Sequence, residues 1–374
     1  MRKGVVALLE VGSKKLTCVI GQRGVNGTFV IKSLAEADYD GFSESDFFDV
    51  NGLTEAVIEV TGEAVKNARS PIDKLYVGVP GEFSIIRTKE SLISFPRKRR
   101  IKKREIEDLH SHYRLSDNSD YRIIDVTAVY YTLDDNRRVL NPENCVSSKL
   151  GGMLSYVLCD KFFIKLFESI CRKACIDEVE FISECLAESL LLFTDEERQY
   201  NRILVDVGYI TTTMAVVRGN GILFQKAFSF GGGHITAGLM EKLGVSFDLA
   251  ELLKRKINLG YDVNSDGVYI LLLNDEEYRI PLQKANVAVR FSLDELSEKL
   301  EAALRECPIE LTSNVNVSLT GGGLSYMRGG KEYLSNRLEL GVGVVAPRVP
   351  YMNKPDESAC LGLLNYALIK NEDK

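Results

Sequence analysis

The sequence predicts an α/β fold with a duplicated core and a cleft between two similar halves, and three observations predict it. An acid-x-Gly turn between β-prone runs occurs near residue 5 and returns near residue 202. Segments with a helical spacing of apolar residues alternate with short strand runs along the 374 residues. A late strand runs into Gly321-Gly322-Gly323, where a ligand can lie against the backbone.

The elements follow in order. Residues 5–11 and 16–20 read as strands around Gly12-Ser13-Lys14-Lys15, and 28–33 as a third strand. Leu53, Val57, Ile58, Val60, Ala64 and Val65 have the spacing of a helix over 53–68. Residues 74–79 form a strand that Pro80-Gly81 ends. An inserted unit follows, placed at 84–160. It has strands, a basic run from Arg97 to Arg104, a helix at 105–113, strands at 121–133 and 149–159, and a polar loop at 134–144. An amphipathic helix at 161–174 and a buried helix at 186–193 come next. Strands at 202–207, 211–217 and 222–230 then repeat the opening pattern, with Gly219-Asn220-Gly221 as a hairpin turn. The remainder reads as helical up to a strand at 315–320, and a last helix covers 357–369.

Composition narrows the function classes. A net charge of -6 gives no general attraction to nucleic acid or anionic lipid. The seven cations within 97–104 are a local exception, read first as a solvated turn. The eight cysteines contain no CxxC. Cys171 and Cys175 are four apart, as on one helix face, but only three histidines are present to complete a metal set. Buried, reduced cysteines are expected. No segment has the ~18 apolar residues that cross a bilayer.

Five elements carry candidate chemistry. Glu10-Val11-Gly12-Ser13 puts a carboxylate beside a tight turn, a pairing that suits Mg²⁺ held through water and a phosphate on backbone N–H groups. Asp206-Val207-Gly208, with the hydroxyls of Thr211 and Thr212, repeats it from the opposite side. Gly321, Gly322 and Gly323 form the third element. Glu251 and Lys254 share a helix face, and the fifth is a Gly-rich turn, Gly231-Gly232-Gly233-His234, that opens a helix. Each alone is also a plain turn, surface pair or cap. Their order gives them weight.

That order resembles the actin-like ATPase superfamily, and within it the FtsA branch. FSFGGGHITAGLMEKLGVSFDLAELLKRKINLG at 228–260, FISECLAESLLLFTDEERQYNRILVD at 181–206, and KLYVGVP ending at Pro80 carry the resemblance, which covers nearly the whole chain. It implies an actin-like (ribonuclease H-like) fold of duplicated domains with a nucleotide cleft. One half comprises 1–83 with 161–203. A 1C-type inserted subdomain occupies 84–160, and the second half is 204–374, whose final helix returns to the first. Glu10 and Asp206 would face Mg²⁺. Gly12, Ser13, Gly208, Thr211 and Thr212 would contact the phosphates of ATP. Glu251 and Lys254 would meet ribose and adenine, Gly321–Gly323 would line the adenine side, and Glu184 would orient the attacking water.

The sequence also departs from the family pattern. Glu10 stands where Asp is usual, Tyr209 and Ile210 replace two glycines, Thr213 replaces a second Asp, and Cys185 follows Glu184 in place of Pro. Slow or absent hydrolysis is therefore expected. The resemblance further implies a cytoplasmic divisome adaptor at the inner face of the membrane or division site. It would self-associate into filaments, link an FtsZ-like tubulin homologue to other division proteins through the insertion, and bind no nucleic acid. No basic, apolar-faced tail precedes Lys374, so membrane contact is expected to be indirect. A nucleotide-free scaffold, a peptide-binding adaptor like PilM and a sugar-kinase-type enzyme are the alternatives.

Overall fold

The computed structural model describes residues 4–25, 28–113, 119–261, 266–311 and 315–372. It opens with β1 (Val5–Val11), β2 (Lys15–Arg23) and β3 (Phe29–Asp38), an antiparallel meander. β1 is buried on both faces, as its unbroken apolar run requires. A small hairpin, β4 (Phe42–Ser43) and β5 (Asp46–Phe47), precedes helix α1 (Val50–Ala68). Asp49 caps α1 by accepting the Asn51 N–H at 2.8 Å, and Leu53, Ala56, Val57, Val60 and Ala64 form its buried stripe. Strand β6 (Lys74–Val79) then pairs parallel with β1.

The insertion has its own four-stranded sheet. It holds β7 (Ser84–Arg100), helix α2 (Lys103–His110), β8 (Tyr121–Thr132), β9 (Arg138–Val139) and β10 (Val146–Asp160), in the order β7-β10-β8-β9. The basic run is not a turn. Arg97–Arg100 end the edge strand β7 and Lys103 begins α2. Lys98 pairs with Asp134 at 3.3 Å and Arg99 with Glu105 at 2.7 Å. The expected loop at 134–144 contains the short β9.

Helix α3 (Lys161–Lys173) leads to β11 (Glu178–Ser183), a strand absent from the sequence expectation, which pairs parallel with β6. α3 ends before Cys175, which is exposed with φ +60, so Cys171 and Cys175 share no helix face and Cys175 is not buried. All eight cysteines are free. Ser183 caps α4 (Glu184–Leu192).

The second half repeats the first. β12 (Arg202–Val207), β13 (Thr211–Arg218) and β14 (Gly221–Ser229) form another antiparallel meander. Helices α5 (Gly232–Leu243) and α6 (Phe247–Lys256) follow, then a hairpin of β15 (Val268–Leu273) and β16 (Glu276–Pro281) where helix was expected. Helix α7 (Leu282–Glu306) runs to β17 (Val317–Thr320), α8 (Gly330–Leu338), β18 (Val342–Val344) and α9 (Ser358–Glu372). The two large sheets have the orders β11-β6-β1-β2-β3 and β18-β17-β12-β13-β14. In each, the first strand pairs antiparallel with the second and parallel with the fourth of its sheet. The duplication is therefore one of topology and register.

Helix α9 is buried on nearly every side, among them at Leu361, Leu363, Leu364 and Leu368. It packs on α4 and β1 of the first half, and each such leucine contributes roughly 2 kcal/mol by burial. Of the final residues, 373–374 lie outside the described residues. The β13–β14 turn docks on the insertion. Asn220 N–H donates to Ala128 at 3.1 Å, and the buried Arg198 guanidinium donates to the Gly219 carbonyl at 2.7 Å.

Candidate functional site

A cleft of about 680 Å³ lies between the halves, within the size range of ligand sites. β1 and β12 deliver its two acid-x-Gly turns. Glu10 pairs in register with Thr17, and Asp206 with Thr213. Gly12 N–H donates to Lys15 O at 3.1 Å, and Gly208 N–H to Thr211 O at 2.9 Å. A Cβ on Gly12 would lie 2.8 Å from the Lys15 carbonyl oxygen, so the turn needs glycine. Ser13 and Thr211 also line the cleft.

Thr212 does not. Its side chain is fully buried and donates to the Phe230 carbonyl at 2.6 Å. Alternation along β13 sends Thr211 and Thr213 to the cleft and Thr212 to the core, so Thr213 takes the place expected for Thr212.

The floor is acidic. Glu184 and Glu188, one turn apart on α4, line the cleft with Glu10 and Asp206. Burial pushes the Glu10 carboxyl up to about 7 against the pull of Lys15, and burial pushes Asp206 up to about 6. Burial, then the neighbouring carboxylates, holds Glu184 and Glu188 well above the ordinary range. Glu184 Oε2 and Glu188 Oε1 have no hydrogen-bond partner among the described residues. No three His, Cys, Asp or Glu side chains among those residues are grouped to ligate a metal directly. The donors are hard oxygens around open space, which suits Mg²⁺ kept in its water shell.

Beside the floor, the rest of the lining suits a flatter group. Lys254 Nζ meets Glu251 at 2.7 Å, Thr236 Oγ1 at 2.7 Å and the Gly232 carbonyl at 2.9 Å. Burial raises the Glu251 carboxyl, but Lys254 and Thr236 outweigh it and hold it below the ordinary range. Gly321, Gly322 and Gly323 line this part with Leu324, Tyr326 and Met327. Gly321 has φ +82, and a Cβ there would sit 2.0 Å from Asp206 Oδ1. His234 is a cap: its Nδ1 accepts the Gly231 N–H at 3.1 Å.

The structure thus brings together all the expected site residues except Thr212. It adds Lys14, Glu188, Tyr209, Thr213, Arg255 and Asp356 to the lining. Glu188 was legible from its i+4 spacing to Glu184, and Thr213 from its strand parity with Thr211.

Residues 203–362 match the family described as Cell division protein FtsA. A protein of that name from Buchnera aphidicola subsp. Baizongia pistaciae is 22% identical over 351 residues, 92% of this chain and 78% of the relative. Among solved structures, the PilM-PilN type IV pilus biogenesis complex gives a TM-score of 0.64 at 17% identity, over 97% of this chain and 98% of that one. MreB 5 of Spiroplasma citri bound to AMPPNP gives 0.61 at 9% identity, over 100% and 99%. The chain is FtsA-like and has the actin-like fold.

Proposed function

We propose that this FtsA-like chain is a division adaptor that holds an adenine nucleotide with Mg²⁺ in its cleft and hydrolyses ATP slowly or not at all. One observation carries the reading: two acid-x-Gly turns at equivalent positions of two equivalent sheets face each other across a ligand-sized cleft. Glu10 and Asp206 would hold hydrated Mg²⁺. Gly12, Ser13, Gly208 and Thr211 would meet phosphates. Glu251, Lys254 and Gly321–Gly323 would meet ribose and adenine. The relative MreB 5, seen with AMPPNP, supports a nucleotide in this fold.

Slow turnover follows from the floor. Burial, then Glu10 and Asp206, favour the protonated form of the Glu184 carboxyl, and a protonated carboxyl is a poor base for water. The adaptor role rests on the FtsA likeness. The sheet of 84–160 would serve as a separate partner-binding unit between first-half segments 1–83 and 161–203, with 204–374 as the second half. Partners would be an FtsZ-like tubulin homologue, further copies of the chain in filaments, and other division proteins, at the inner face of the membrane. Tyr209 and Ile210, which fill the second turn, favour a nucleotide-free scaffold as the second reading.

Calorimetry with Mg²⁺-ATP on the native chain, Asp206→Ala and Gly322→Arg decides between them. Micromolar binding lost in both variants supports the cleft. A Cβ at Gly322 would already lie 3.2 Å from Asp356 Cβ, so arginine there crowds the lining. No heat at millimolar ATP sinks the nucleotide reading. Co-sedimentation with tubulin-homologue polymers tests the adaptor role separately.

A further inference from the structure

The basic run of residues 97–104 has no part in the cleft, and the fold places it at the end of an open sheet edge. β7 pairs with β10 on one side and stands at the edge of its sheet on the other. β14 packs on the start of β7, where the Gln225 amide donates to Ser84 Oγ at 2.9 Å. The Ile86 carbonyl accepts from the Arg87 guanidinium at 3.2 Å. Over 87–94, no backbone hydrogen bond among the described residues reaches the outer edge. Every second residue of this stretch turns its N–H and C=O outward. At about 3.4 Å per residue the stretch is roughly 27 Å long, enough for a strand of the usual length, about five or six residues.

The open edge then stops. The pairing with β10 steps from Ser94–Lys149 to Arg99–Ser147, so residues 95–98 bulge, and Pro96 has no N–H to offer. Around the bulge the charge is one-sided. Lys98 is paired with Asp134 and Arg99 with Glu105, while Arg97, Arg100 and Arg104 are exposed and have no ion pair among the described residues. Between Arg87 and Arg100 the strand carries six cations and one acid, Glu90. Leu92 is 59% exposed and stands opposite Gly151, which has no side chain to cover it.

We propose that the β7 edge is a docking site for an extended, acidic segment of another protein, which adds as a strand along 87–94 and sets its carboxylates against Arg97, Arg100 and Arg104. Two observations choose this occupant. An edge that offers both donors and acceptors in a row is matched by another peptide backbone, whereas a lipid or nucleic-acid phosphate supplies acceptors alone. A second copy of the same edge would bring one basic strand against another. The inference deepens the reading of the insertion as a partner-binding unit and rests on that part of it, with no dependence on a nucleotide.

The probes are two fluorescein-labelled peptides, a run of alternating Thr and Val with a short run of Glu at its N-terminus or at its C-terminus. Anisotropy is measured against the full chain in 0.1 M salt. At least one peptide binds in the micromolar range, and hydrogen exchange slows over 87–94. Arg97→Glu with Arg100→Glu, both on exposed side chains, weakens binding by about tenfold. Salt at 1 M, where the Debye length is about 3 Å, weakens it likewise. The same peptide N-methylated along its Thr-Val run does not bind. No binding of either peptide at millimolar concentration, undiminished binding by the charge-reversed chain or the N-methylated peptide, or protection elsewhere than β7 overturns the inference. Binding of phosphatidylglycerol vesicles or single-stranded DNA without either peptide also overturns it and gives the run to a membrane or to nucleic acid. Co-sedimentation with tubulin-homologue polymers that succeeds while the peptides fail keeps the adaptor role and removes only this edge.

Discussion

Glu188→Leu makes the metal-free protein more stable at pH 8 than at pH 5, relative to the native chain. Glu188 is 1% exposed, its Oε1 has no partner among the described residues, and it faces Glu184 and Asp206. Gly362 packs directly on its backbone. Leucine has nearly the same volume and no oxygen. An unmet buried carboxyl oxygen costs about 1–3 kcal/mol. The adjoining cavity of about 10 Å³ has room for one water, which places the gain at the lower end, about 1–2 kcal/mol. The sign follows from the raised folded-state pKa. A carboxyl shifted upward stabilises fully below its unfolded pKa near 4.5, and loses that contribution as pH rises through the folded value. The leucine variant lacks this loss, so its advantage grows with pH. Unfolding entropy scales as roughly 2.1 cal/mol/K per residue, so the unmet oxygen alone makes Tm rise by about 1–3 °C at pH 5, and the rise is larger at pH 8. Thermal melts followed by circular dichroism measure it, with Glu188→Gln separating the charge from the unmet oxygen. A shift of the same size at both pH values, or a leucine variant less stable at pH 8, would refute the argument.

Two further outcomes follow from the same geometry. Glu10 at about 7 and Asp206 at about 6 are both raised, so the metal-free native chain loses stability as pH climbs from about 4.5 through 7. Glu10→Gln flattens that slope in urea titrations at successive pH values, and an unchanged slope removes Glu10 as its source. Gly219→Ala costs about 2 kcal/mol or more, since φ is +58 and the new Cβ would fall 1.8 Å from the Val129 carbonyl oxygen. Hydrogen exchange should quicken along β8 and β13, and an effect confined to the turn tip would show that the insertion is not held there.

The duplicated core was legible because the same acid-x-Gly turn recurs between strand runs in both halves, although each turn alone is also a plain hairpin turn. Its two outermost strands were not. β18 is three residues long and exists through its pairing to β17, and β11 begins with polar residues on its exposed end. Neither carries enough local preference to declare itself, because strand preference follows packing neighbours. The β15–β16 hairpin did leave a sign: Asn274 and Asp275, with φ +52 and +63, are the residue types a tight hairpin turn demands. The preceding leucine run hid it by fitting a helix equally well.

The site shows a different limit. Residue types told that two turns face a cleft, yet not which hydroxyl reaches it, since one step along a strand reverses the side chain. Thr212 went to the core for that reason. Nor does a sequence show what Tyr209 and Ile210 do once glycine is lost. They read as an obstruction to phosphate, and in the fold they are also contacts, one holding Lys14 and the other Ser13. The same two residues thus fill the second turn and bind the halves together. Halves joined by their own side chains need less from a bound ligand to keep their relative position.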